Sequence, residues 1–309
     1  MPSIIVLDKL SPDGLALLDA AGRLGISYEV KTGLSGQDLK EALASHDGAI
    51  CRSGVKITAD VLAGNHRLRA IVRAGVGTDN IDKQAATRQG IVVMNTPAGN
   101  TVSTAEHAFT LLLALSRNVA PADASLREKR WDRSKYMGVQ LAGKTLGIVG
   151  MGRIGQAVAS RARAFDMRVV VYDPFLAAER AGELGVELFG SVREMLPELD
   201  YLTVHTPLTD DTRHLIGKEE LSLLKPGVRV VNCARGGIYD EEALLEGLES
   251  GVLAGVALDV FETEPCTESP LFGRSDVLVT PHLGASTEEA QSQVAIEGVN
   301  LLTDFLRTG

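Results

Sequence analysis

The chain has 309 residues and carries 31 Lys and Arg against 40 Asp and Glu, a formal net charge of −9. That length accommodates two domains of ordinary size, and the acidic balance argues against a broad basic face for nucleic acid or an anionic membrane surface, though not against one basic pocket. Its three cysteines, Cys51, Cys233 and Cys266, are odd in number and widely spaced, which fits reduced thiols in a cytoplasmic protein and neither a disulfide framework nor a zinc site. No metal is expected.

The N-terminus enters an apolar run at once, without a preceding basic region, so no signal peptide is expected. The longest apolar stretch, 108–115, falls far short of the ~20 residues of a membrane span. Residues 4–7 form a first strand. Ser11 and Pro12 open a helix carrying Leu15, Leu17 and Leu18. A strand at 28–31 follows. Ser35 with Asp38 gives a weak capping signature for the next helix. Further strands are expected at 49–51, 68–73 and 91–95, with a helix at 58–62. Alternation at this pace predicts a parallel sheet. Residues 96–100 (T-P-A-G-N) are the best hinge candidate. A helical pattern over 101–118 and a second near 122–130 form an arm that ends by Trp131, the only tryptophan. Such an arm suits a subunit contact or a cover on the second sheet.

Residues 145–155 read T-L-G-I-V-G-M-G-R-I-G. An apolar strand runs directly into Gly150-x-Gly152-x-x-Gly155. The first glycine permits the turn, the second admits a pyrophosphate to the backbone, and the third lets strand and helix pack closely. The helix N-terminus offers amide donors to the phosphates. A second strand, 168–172, ends at Asp173, 18 positions after Gly155 and near the ~20 expected of the acid that takes the adenine ribose hydroxyls. This combination predicts an NAD site. Strands follow at 201–204, 229–232, 255–259 and 277–280, with helices at 191–196, 218–224 and 240–250. Thr287 is a suitable N-cap for a last helix, 287–306. That helix is expected to return to the first sheet.

Ligands of open parallel sheets bind beyond the carboxyl ends of strands. Arg52 and Arg73 each close a strand, and Gly75, Val76 and Gly77 form a loop whose amides can face an anion. As surface arginines in ordinary ion pairs they are about equally well explained. Late strands end at Arg235, Asp259 and His282, and Glu264 lies in F-E-T-E-P. Hydride transfer from an alcohol carbon needs a base for the hydroxyl proton, and His suits that task. Glu264 is the candidate carboxylate on its other ring nitrogen, and Arg235 the candidate for a substrate carboxylate. Asp259 can tune the charge or touch the cofactor. His205 also ends a strand, so position alone does not choose between it and His282; His46, His66, His107 and His214 are the other histidines.

Seven stretches in order resemble the D-isomer-specific 2-hydroxyacid dehydrogenases: R-A-G-V-G-T-D-N (73–80), G-I-V-V-M-N-T-P (90–97), L-G-I-V-G-M-G-R-I-G (146–155), V-H-T-P-L (204–208), V-N-C-A-R-G-G (231–237), A-L-D-V-F-E-T-E-P (257–265) and P-H-L-G-A-S-T (281–287). The resemblance implies an α/β fold of two doubly wound parallel-sheet, Rossmann-like domains around a cleft. The expected division is a discontinuous substrate domain, 1–97 plus 283–309, and an NAD-binding domain, 98–282. It implies Arg235, Glu264 and His282 as the catalytic set and favours His282 over His205. It implies NAD contacts at Arg153, Ile154, Asp173, Thr206, Cys233, Asp259 and Gly284, beside the motif glycines. Arg52, Arg73 and Thr78 would take the phosphate side of a small phosphorylated hydroxy acid. A homodimer through the cofactor domain is implied as well. A rival within the family, a glyoxylate or hydroxypyruvate reductase, would not need the two arginines. A rival of another class is an NAD-sensing corepressor-like binding protein. Longer family members carry C-terminal domains, including serine-binding modules, after the point where this sequence ends, so a short form without serine control is expected.

Overall fold

The computed structural model describes residues 1–309. It divides into two compact units, Met1–Thr101 with Ala285–Gly309, and Val102–Gly284. In the first unit, strands β1 (Ser3–Val6), β2 (Ser27–Val30), β3 (Gly48–Cys51), β4 (Ala70–Arg73) and β5 (Val92–Asn95) form one sheet in the order β2-β1-β3-β4-β5. Every pairing is parallel. Side chains alternate across a strand, and here both faces are covered. Ile5, Leu7, Ala49, Cys51 and Ile71 enter one apolar cluster. Ile4, Val6, Ile50, Ala70 and Val72 enter another, together with Val294, Val299, Leu302 and Leu306 of the last helix, Glu288–Thr308. Two-sided burial is why these strands read as continuous apolar runs.

The second unit carries β6 (Thr145–Val149), β7 (Arg168–Tyr172), β8 (Glu187–Leu188), β9 (Tyr201–Val204), β10 (Val228–Asn232), β11 (Leu253–Leu258) and β12 (Val277–Val279), in the order β12-β11-β10-β9-β6-β7-β8. All its pairings are parallel too. The strand order reverses beside β6, between β9 and β7. That reversal is the switch point where parallel sheets bind ligands. Both units are thus doubly wound α/β sheets.

Several boundaries differ from the sequence-based expectation for local reasons. The strand expected from 68 begins at Ala70, because Asn65 Oδ1 accepts hydrogen bonds from the amides of Arg67 and Leu68 and holds them in a turn. Ser35 caps the helix Gly36–Ala44 without a side-chain bond, so the Ser35–Asp38 capping signature is not realised. Thr287, by contrast, accepts from the Ala290 amide at 3.1 Å and caps the last helix. The helix expected at 122–130 runs Val119–Arg127, and the one at 218–224 stops after a single turn, Lys218–Leu221. No helix is long and apolar enough to cross a membrane.

Candidate active site

The glycine turn joins β6 to the helix Arg153–Ala164. Gly150 adopts φ +92°, and a side chain there would strike the His205 backbone carbonyl. A Cβ at Gly155 would collide with the Gly150 carbonyl. Gly152 differs, since a Cβ there would meet nothing within 4 Å. It is also the helix N-cap, and no side chain caps the first-turn amides. Open space above uncapped amides at the start of a three-turn helix fits a dinucleotide pyrophosphate. Arg153 and Ile154 are the first two helical residues. Asp173 follows β7 and accepts from the Met151 amide at 2.7 Å and the Phe175 amide at 2.8 Å. The acid is thereby held against the glycine turn. Thr206 lies just beyond β9, and Cys233 is buried just beyond β10. These residues fit NAD.

Arg235 sits two residues further along the β10 loop. Buried Asn232 shapes that loop, donating from Nδ2 to the Arg235 carbonyl at 2.8 Å and accepting from the Ala234 amide at 3.0 Å. The Arg235 guanidinium donates to the Ala234 carbonyl at 2.6 Å. A Cβ at Gly236 would overlap the Phe261 carbonyl, so only glycine lets this loop meet the one that carries Glu264.

His282 and Glu264 are brought together: Nδ1 lies 2.8 Å from Oε2. The carboxylate accepts, so Nδ1 carries a proton and Nε2 is left for other chemistry. The Phe261 amide donates to the other oxygen at 3.1 Å. Partial burial pushes the Glu264 carboxyl up, but the His282 bond and charge, the Phe261 amide and the Arg235 charge outweigh it and hold the group below its ordinary value. His282 has φ +56°, a left-handed conformation that costs a non-glycine residue about 1–2 kcal/mol. Its amide is fixed by the carbonyls of Asp259, at 2.8 Å, and Thr280, at 3.0 Å.

Asp259 is wholly buried just past β11. Its Oδ1 accepts from the Leu283 amide at 2.7 Å and from Thr280 Oγ1; its Oδ2 accepts from the Gly284 amide at 2.8 Å. His107 Nε2 approaches Oδ1 at 3.2 Å and Thr280 Oγ1 at 3.1 Å. Burial pushes the Asp259 carboxyl up, and the His107, Thr280 and Leu283 bonds bring it below its ordinary value. Asp259 therefore ties β11 to the segment that bears His282 and Gly284. Cys233 Sγ lies within the same cluster: with His107 and Asp259 its ligand atom falls inside 4.8 Å. Burial pushes its thiol well up, the Asp259 charge adding to the effect, so it stays protonated.

His205, the competitor for the acid–base role, has no carboxylate partner. Its Nε2 lies 3.1 Å from Thr203 Oγ1, and burial pushes the imidazole down to about 4. It remains neutral at physiological pH. His107, Thr280 and Asn232 were not singled out from the sequence as site residues. The partners of His107 lie 152 and 173 positions away, and no local spacing announces them.

In the first unit, Arg52 and Arg73 lie at the carboxyl ends of neighbouring strands, with Cys51 paired to Arg73. The Arg52 amide donates to Asp8 Oδ2 at 2.6 Å, and its guanidinium reaches the Lys9 carbonyl at 3.4 Å. The Arg73 guanidinium folds over Gly75, where any Cβ would collide with Nη1, and donates to the Ala74 carbonyl at 3.4 Å. Gly75 has φ +146°. Asn95 Nδ2 holds the Val76 carbonyl at 2.6 Å, which fixes the loop running on through Gly77 and Thr78. Asn80 Nδ2 holds the Arg52 and Val55 carbonyls.

The glycine turn stands at the switch point, an acid follows the next strand, and an Arg, a Glu and a His sit on three successive strand-end loops; the chain belongs to the D-isomer specific 2-hydroxyacid dehydrogenase family. Residues 109–284 match the model of that family's NAD binding domain. The chain is 47% identical over 291 residues to a D-3-phosphoglycerate dehydrogenase of Methanocaldococcus jannaschii and 48% identical over 294 residues to one of Bacillus subtilis. These alignments cover 94% and 95% of this chain but 55% of either relative, so the chain spans about half the length of the curated relatives it matches. A solved structure of a glyoxylate reductase from Paecilomyes thermophila superposes with a TM-score of 0.91 at 30% identity, covering 100% of this chain and 96% of that one.

Proposed function

We propose that the protein oxidises D-3-phosphoglycerate to 3-phosphohydroxypyruvate with NAD, the first step of serine biosynthesis, acting in the cytoplasm. The observation that carries the chemistry is the His282–Glu264 pair at 2.8 Å, with Arg235 close enough for its charge to act on Glu264. The two similar D-3-phosphoglycerate dehydrogenases support the substrate. Oxidation takes a hydride from C2 and a proton from its hydroxyl. NAD, when bound, supplies the hydride acceptor. His282 Nε2 takes the proton, and Glu264 stabilises the resulting imidazolium through Nδ1. Arg235 holds the substrate carboxylate by two parallel hydrogen bonds. Gly152, Arg153, Ile154 and Gly155 receive the pyrophosphate, Asp173 takes the adenine ribose, and Thr206, Cys233, Asp259 and Gly284 complete the NAD contacts. Turnover of D-3-phosphoglycerate with NAD is the direct assay; activity confined to glyoxylate or hydroxypyruvate would favour the reductase reading, which the glyoxylate reductase superposition supports.

Substrate choice rests on the first unit. Arg52, Arg73 and the loop through Gly75, Val76, Gly77 and Thr78 are assigned to substrate, the two guanidiniums to its phosphate. Charge-assisted bonds of this kind contribute about 1.5–3 kcal/mol each. Arg73→Ala is expected to lower kcat/KM for D-3-phosphoglycerate about tenfold or more, with a much smaller change for D-glycerate. Equal losses on the two acids would show that Arg73 supports the fold or the carboxylate instead.

Cofactor choice rests on Asp173, whose charge opposes a 2′-phosphate. NAD should be preferred over NADP by at least tenfold in kcat/KM, and Asp173→Ala should narrow that gap. Equal efficiency of wild type with both cofactors would remove the role. The second unit also exposes Val119, Leu126, Trp131 and Met137 along one arm, with Trp131 80% accessible. Apolar exposure of this extent supports a homodimer formed through the cofactor domain, which a mass measurement in solution tests.

A further inference from the structure

We propose that His107 is a positioning residue for His282: its Nε2–H fixes the Asp259 carboxylate, and the carboxylate fixes the segment from which His282 projects. The inference rests on the acid–base role given to His282 above. Thr280 gives its hydroxyl proton to Asp259 Oδ1, so both atoms facing His107 Nε2 are acceptors and Nε2 must be the donor.

Four side-chain or backbone donors serve the Asp259 carboxylate. Three belong to residues 280–284: Thr280 Oγ1, the Leu283 amide and the Gly284 amide. Those three tie the segment to Asp259 at the end of β11, but they travel with the segment and leave the carboxylate free to turn with it about its own side-chain torsions. His107 is the one donor from another element, the helix Thr101–Ser116. That helix is anchored by buried Ala105, Ala108, Phe109, Leu111 and Leu112. The fit is close on the far side as well. A Cβ at Gly284 would come within 3.2 Å of Asp259 Oδ2 and 3.3 Å of Thr104 Cγ2, on the same helix. His282, held left-handed at φ +56°, relies on this bracing to keep its imidazole at Glu264. A misplacement near 1 Å in a reacting group can cost about 10²-fold; partial loosening costs less.

The test compares wild type, His107→Phe, His107→Gln, Thr280→Val and the double variant His107→Phe/Thr280→Val. Active sites are counted by fluorescence titration with NADH, and kcat is expressed per NADH site with the hydroxy acid turned over fastest. His107→Phe is expected to lower kcat per site about tenfold, with KM for the acid changed less than twofold. His107→Gln, which restores an N–H donor, should recover most of the loss. Thr280→Val should lower kcat in the same way, and the double variant should lose less than the product of the two single losses, because both act on one carboxylate. A role in stability alone would reduce the number of NADH sites and leave kcat per site intact. That outcome, or a double variant losing the full product, overturns the proposal. Should His107→Phe fail to bind NADH, an unchanged kcat per site in Thr280→Val overturns it equally. A His282→Ala enzyme that still turns over defeats the acid–base role and this inference with it. An inactive His282→Ala beside an unimpaired His107→Phe defeats this inference alone.

Discussion

His282→Ala is expected to lower kcat by about 10²–10⁴-fold, the range that a positioned general acid–base group contributes. NADH binding should survive, because the residues proposed to hold the cofactor, the glycine turn and Asp173, do not include the imidazole. His205→Ala should spare the chemistry. The His205 imidazole is pushed down to about 4 by desolvation and its side chain bonds Thr203, so it is neither a proton store at neutral pH nor a partner of Glu264. Glu264→Gln refines the test. The amide removes the charge that favours the imidazolium, so the neutral base is reached more easily. In the oxidative direction the rising limb of the rate profile should move to lower pH. In the reductive direction, which needs the imidazolium, activity should begin to fall at lower pH than in wild type. Near-normal turnover in His282→Ala, with loss in His205→Ala, would reverse the assignment.

Arg235→Ala is expected to reduce kcat/KM by about 10²–10³-fold, the magnitude seen when a preorganised donor to a developing or resident oxyanion is deleted. Arg235→Lys should recover only part of this. A lysine keeps the charge but not the planar fork that grips both carboxylate oxygens. The loop geometry supports a demand for that fork, since Asn232 fixes the Arg235 carbonyl and Gly236 seats the loop against Phe261. Steady-state rates over a range of acid concentrations, with NADH affinity measured separately, check the point. Full recovery by lysine would reduce Arg235 to a simple positive charge.

The parts of the molecule that the sequence announces are those fixed by local rules. Strands buried on both faces read as apolar runs, and β9 falls at 201–204 as the pattern predicts. The glycines that turn β6 into its helix carry their reasons in their spacing. Elements with little apolar content were harder to see. The two-residue β8 and the short helices Lys83–Arg88 and Ala178–Leu184 have no periodicity long enough to register. Site residues followed the same division. Glu264 and His282 lie 18 positions apart on sequential loops, so a pairing could be argued from charge. His107 lies far from Asp259 in sequence and within a helix of apolar spacing, where a histidine looks like any half-buried side chain. Only the three-dimensional path of the chain gives it a task.

The split first unit also sets an order of events during synthesis. Val6, Ile50 and Val72 are covered by Val294, Val299 and Leu302 of the last helix. After Asn95 closes β5, residues 96–287, 287 − 95 = 192 positions, pass before that helix begins. At ~5–20 residues per second the ribosome needs about 10–40 s to make them. Throughout that interval the part of this face beneath the last helix stays open, beside the part that Leu18 and Ala21 of the helix Pro12–Gly22 already cover, while every strand of the second sheet emerges and can pair. The first unit, begun first, is thus the later one to complete its core.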